Sequence, residues 1–110
     1  MNTPNAAVDF IVKNSQEFAK AKAKRVYLDE FRKSKKALLM KDAMRNGIEA
    51  ANAQEREAYS HPEYLELLDG LAAATEIEEE LKWKLEAARL RIDIWKTETY
   101  NNRMQDKAMA

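Results

Sequence analysis

Apolar residues recur along the second half of this chain at helical spacing, almost without interruption. Leu67, Leu71, Ala74, Glu78, Leu81, Leu85, Ala88, Ile92, Trp95 and Thr99 follow a 4-3-4-3 pattern, the spacing of a coiled-coil seam. Glu78 is its one charged member, placed to fix register or to pair with a Lys of an earlier helix. A second face runs along the same segment. Trp83, Ala87, Leu90 and Ile94 stand at 4-3-4 spacing, about 160° around the helix from the seam. Leu65 and Ala72 point roughly the same way. A helix that is apolar on two faces has to be covered on both. One partner helix from the same chain covers only one, so the pattern predicts a homo-oligomer through Trp83, Ala87, Leu90 and Ile94. The competing reading covers both faces from within the chain, using Val8, Phe10, Ile11 and Phe18.

The punctuation of the chain delimits the helices. Thr3-Pro4 reads as a helix start, with Thr3 as cap and Pro4 in the first turn. Asn14-Ser15 is a candidate break. From Gln16 to Arg45 nothing stops a helix, and Asn46-Gly47 then ends it. Glu49–Tyr59 reads as a short Ala-rich helical connector. Ser60 and Glu63 have capping-box spacing, with Pro62 in the first turn of the helix that follows. That helix extends to about Asn102, roughly 60 Å at 1.5 Å per residue. The expected organisation is a single helical domain over 1–110: a basic N-terminal arm 1–46, a connector 47–61, a long acidic helix 62–103 and a flexible tail 104–110. The expected fold is all-α, a long helical hairpin or bundle with coiled-coil-like packing, assembled as an oligomer.

In the first helix Tyr27, Leu28, Phe31, Leu38 and Leu39 fall within about 120° of one another and form the predicted core stripe. Lys22, Arg25, Arg32, Lys33 and Lys36 lie on the opposite side, a basic stripe roughly 20 Å long.

Composition narrows the chemistry. The 110 residues contain no Cys, one His, two Gly and two Pro. Disulfides, cysteine zinc sites, thiol nucleophiles, multi-histidine metal sites and glycine-rich nucleotide loops are thereby excluded. No apolar run of about 18 residues exists to span a membrane. Met1–Val12 lacks the basic start of a secretory signal, so an intracellular, soluble protein is expected. The net charge is zero, yet residues 1–45 carry +6 and residues 46–110 carry −6. Within 47–80 the only positive residue is Arg56, against ten acids. Such asymmetry suits two arms that pair with each other, a nucleic-acid face or an acidic interaction face.

Lys22, Arg25, Arg32, Lys33 and Lys36 are the candidate nucleic-acid-binding residues. The plain alternative for them is a solvated or protein-contacting helix face. The aromatic side chains that stack on single strands are not interleaved among them, because Tyr27 and Phe31 point inward on this reading. The acidic group Glu76, Glu78, Glu79 and Glu80, with Glu63, Glu66 and Asp69, lacks the Glu-x-x-His element of di-metal bundles. It reads as a solvated face, or as a surface imitating the charge of DNA. His61 reads as a surface or capping residue. Trp83 and Trp95 read as packing or interface residues. No catalytic residue, metal ligand or cofactor is expected, and no small-molecule substrate.

The stretch Glu30-Phe31-Arg32-Lys33-Ser34-Lys35-Lys36-Ala37-Leu38-Leu39-Met40 resembles small proteins encoded by tailed bacteriophages and prophages, often near recombination and replication genes. So do Arg56-Glu57-Ala58-Tyr59-Ser60-His61-Pro62-Glu63-Tyr64, Glu79-Glu80-Leu81-Lys82-Trp83 and Leu90-Arg91-Ile92-Asp93-Ile94-Trp95-Lys96-Thr97. The resemblance covers roughly residues 25–103 and carries no active-site motif. It implies a phage accessory protein in the cytoplasm of the bacterial host, with DNA or a recombination or replication protein as partner. The combined expectation is a non-enzymatic recombination or replication accessory protein acting through its basic helix face. The alternative is a helical oligomeric adaptor, or a DNA-mimicking inhibitor of a host nucleic-acid enzyme, acting through its acidic face.

Overall fold

The computed structural model describes residues 3–109. Three helices account for nearly all of them: α1 (Pro4–Arg45), α2 (Ala51–Ser60) and α3 (Pro62–Met109). No strand occurs among the described residues. Among the described residues no helix is long and apolar enough to cross a membrane.

Each boundary has a local cause. The Thr3 Oγ1 accepts from the Ala6 N–H at 3.1 Å, capping α1. Asn14 and Ser15 do not interrupt that helix. Their side chains instead donate back to the Phe10 and Val12 carbonyls, a use of short polar side chains that leaves the helix intact. At the far end Gly47 takes a positive φ of 96°. The Ile48 N–H then reaches the Ala43 carbonyl and the Gly47 N–H reaches that of Met44, each at 3.1 Å. This is a Schellman closure.

The cap of α3 differs from the expected one. Ser60 is the last residue of α2, and its hydroxyl donates to the Arg56 carbonyl. The cap falls one residue later, where the His61 Nδ1 accepts from the Glu63 N–H at 3.0 Å. α3 then runs to Met109, through the segment 104–109 expected to be a tail.

The chain forms two compact units, Lys20–Glu78 and Met1–Ala19 with Glu79–Ala110. In the Lys20–Glu78 unit, α2 and the start of α3 pack on the later part of α1. Leu39, Ala58 and Tyr64, one from each helix, form its buried cluster, with Met40 and Leu68 against it. Arg25 pairs with Glu78 and Lys35 with Glu63, so α1 and α3 run antiparallel within this unit. In the other unit the first turns of α1 lie along α3, where Ile11, Ser15 and Phe18 share a groove with Lys82, Leu85, Glu86 and Arg89.

The α3 seam holds in both units. Leu67, Leu71, Ala74 and Glu78 are buried or half-buried in one; Leu81, Leu85, Ala88, Ile92 and Thr99 are so in the other. Trp95 is the exception and lies largely exposed. Every residue of α3 from Tyr100 to Met109 is exposed.

The core stripe expected on α1 is corrected. Leu28, Phe31 and Leu39 are sheltered, but Tyr27 is 64% and Leu38 52% exposed. The sheltered line on α1 within Lys20–Glu78 is Ala21, Arg25, Leu28, Arg32, Lys35 and Leu39, again at 4-3 spacing. Three cations stand in it. Their long stems cover apolar surface while their heads reach carboxylates, so the α1 seam cannot be found by hydrophobicity alone.

Candidate nucleic-acid interface

The five cations do not form one solvent-facing stripe. Arg25 turns into the helix interface. Its Nε lies 2.6 Å from Glu78 Oε2 and its Nη2 3.2 Å from Oε1, a bidentate pair on a carboxylate whose residue is 7% exposed. Lys22 and Lys33 remain exposed, and Arg32 and Lys36 are half-buried. The correction has one cause. A stripe opposite Tyr27 and Leu38 would face water only if those two faced the core, and they do not.

What the fold does instead is gather Arg32, Lys33 and Lys36 on one wall of a cleft of about 520 Å³. Ala37 and Met40 form its floor with Tyr59 of α2 and Tyr64 of α3. Tyr59 and Tyr64 meet edge to face at 5.3 Å between centroids, a favourable aromatic geometry. The Lys36 ammonium sits over the Tyr59 ring, 4.7 Å from its centroid, and 3.3 Å from Glu55 Oε1. Tyr59 first, and Glu55 after it, hold the Lys36 ammonium above the usual lysine range. Lys33 makes an exposed pair with Glu30.

Arg32 is under-used. One Nη reaches Asp29 Oδ1 at 3.3 Å, and its Nε is buried with no acceptor. A buried donor without an acceptor costs about 1–3 kcal/mol. An acceptor brought into the cleft gives this guanidinium reason to turn toward it. The cleft thus joins three cations, one incompletely satisfied, to an aromatic surface.

Tyr59 and Tyr64 escape sequence reasoning as site residues. Nothing in the spacing of α2 says which of its faces docks on α1, so Tyr59 cannot be assigned to the basic wall until α2 is placed. Lys36 and Glu55, oppositely charged and on adjacent helices, are the only hint.

Elsewhere the acidic residues are mostly spoken for or dispersed. Glu63 pairs with Lys35 at 2.9 Å and its carboxyl is held below the usual range by that lysine. Glu80 pairs with Lys84 and Glu79 with Lys82. No group of three acids or histidines among the described residues stands close enough to hold a metal ion. On the far part of α3, Trp83, Ala87, Leu90 and Ile94 are all exposed, Trp83 by 61% and Ile94 by 57%.

No family model, curated protein or solved structure matches this chain.

Proposed function

We propose that this protein is a non-enzymatic accessory factor of phage DNA recombination or replication, self-associating through α3 and binding single-stranded DNA at the Arg32–Lys33–Lys36 cleft. The observation that carries the reading is the convergence of those three cations with Tyr59 on one surface. Single-strand binders join a positive groove, which follows the phosphates, to aromatic faces on which bases stack. Arg32, Lys33 and Lys36 supply the first and Tyr59 the second. The unsatisfied Arg32 Nε adds a donor suited to a phosphate oxygen.

Relative to the five-residue stripe, the proposed contact set loses Arg25, committed to Glu78, and gains Tyr59. Lys22 lies outside the cleft lining and serves as a control.

The test is fluorescence anisotropy with a labelled oligothymidylate across a salt series. Three phosphate contacts give a log–log salt slope of about −2 for a single strand. Arg32→Gln combined with Lys36→Gln should abolish most of the binding, and Lys22→Gln should change it little. Absence of binding at low salt, or equal loss from Lys22→Gln, would overturn the proposal. The acidic-face alternative has no comparable convergence of groups in its favour.

A further inference from the structure

The exposed face of α3 carries more orientation information than its four apolar residues alone. Continued past Ile94, the 4-3 spacing passes through Thr97, Asn101 and Met104, all exposed. With Trp83, Leu90, Thr97 and Met104 at d, the a positions are Ala87, Ile94 and Asn101. The stretch spans roughly 33 Å of helix, about three heptads. Every one of these residues belongs to the Met1–Ala19/Glu79–Ala110 unit.

We infer that this face pairs with the same face of a second copy as a parallel, in-register, two-stranded coiled coil. The inference extends the self-association named above and does not depend on DNA binding. Three observations carry it.

The first is the choice of apolar residues. Leu90 at d followed by Ile94 at a is the arrangement that favours two parallel strands over three or four. The second is Asn101. A lone Asn at an a position fixes register and strand number at some cost in affinity, by bonding to its symmetry mate.

The third is charge. In a parallel pair each g residue faces the e′ residue five positions later on the partner. Here Glu79 faces the partner's Lys84, and Glu86 faces the partner's Arg91, each inter-chain pair sharing residues with the exposed intrachain pairs Glu79–Lys82, Glu80–Lys84 and Glu86–Arg89. Arg91 has no ion pair within the chain among the described residues, so this pairing would give it one. The next pair, Asp93 against the partner's Glu98, is like-charged, and Arg89 already holds Asp93 at 3.2 Å. An antiparallel pair instead sets e against e′ and g against g′. In the antiparallel register that sets Ala87 opposite Leu90, Lys84 faces Arg91 and Glu86 faces Asp93, so both contacts are like-charged.

The chain has no cysteine, which makes single-cysteine probes unambiguous. Light scattering on the full chain should give about twice 12.7 kDa. A mass of one chain, or of three or more, overturns the inference. Under mild oxidation Leu90→Cys alone should cross-link to a dimer nearly quantitatively. If Leu90→Cys fails to self-cross-link but joins to Ala87→Cys in a mixture, the strands are antiparallel and the inference is wrong. Ile94→Lys should weaken association by ~30-fold or more, the size of an interface hot spot. Its helical circular dichroism at high concentration shows that folding is intact. DNA binding by the resulting monomer would leave the cleft proposal standing, and loss of DNA binding with the dimer intact would leave this one standing.

Discussion

Arg25 and Glu78, 53 residues apart in the chain, meet side-on through two hydrogen bonds at the interface of α1 and α3. Each stands in the sheltered 4-3 seam of its own helix, and the two positions coincide in space. A one-turn slip of α3 along α1 would break this two-bond contact. Losing one member of a buried charge pair costs more than the pair itself returns, so the contact favours this register over a slipped one.

Breaking the contact from one side should therefore be costly. Arg25→Met removes the bidentate contact from the buried Glu78 carboxylate, an expected loss of about 2–3 kcal/mol given that Arg25 is partly exposed. Arg25→Met together with Glu78→Leu should recover most of it. Urea midpoints of the two variants check this. A double variant no more stable than the single one would show that the pair adds net stability rather than register.

Tyr59 lines the cleft and meets Tyr64 in an edge-to-face pair. Tyr59→Leu keeps apolar bulk but removes the stacking surface. Affinity for oligothymidylate should fall by about 1 kcal/mol or more, within the range for loss of one stacked base. The salt slope should stay the same, because no phosphate contact is removed. A changed slope with unchanged affinity would contradict a stacking role.

The Lys35–Glu63 pair sets an acid dependence. Lys35 lowers the Glu63 carboxyl below its ordinary value of 4.5, so the folded state binds a proton there less readily than the unfolded chain. The stabilisation is fully present above the unfolded value and is lost as pH falls through the lower folded value. Glu86, lowered by Arg89, adds in the same direction. Lys35→Met should reduce the fall in urea midpoint as pH drops from neutral through the ordinary carboxyl value of 4.5 and below, where the Glu63 contribution is lost. An unchanged fall would place the acid sensitivity elsewhere.

His61 caps α3 through Nδ1. His61→Ala should cost about 1 kcal/mol, as loss of an N-cap does, and His61→Asp should restore it. Ser60→Ala should cost much less, since Ser60 lies at the end of α2. Thermal melts of the three variants decide which residue is the cap.

Much of this fold is legible in one dimension. Thr3-Pro4 and Asn46-Gly47 mark helix ends because cap chemistry involves only neighbouring residues. The α3 seam from Leu67 to Ile92 is legible because mostly apolar side chains at 4-3 spacing leave one face to bury. The second face at Trp83, Ala87, Leu90 and Ile94 is legible for the same reason and is indeed left open within the chain.

The α1 register is not legible. Its buried line contains Arg25, Arg32 and Lys35, and whether a cation can be sheltered depends on the carboxylate that meets it. Glu78 lies in another helix, and so does Glu63, so the answer waits on how the helices pack. The same holds for the cleft. Lys33 and Lys36 are plainly basic from the sequence, but Tyr59 joins them only once α2 has docked. Periodicity and capping are properties of a single helix and are written in its residues. The pairing of charges and the assembly of a cleft are properties of several helices at once, and only their packing decides them.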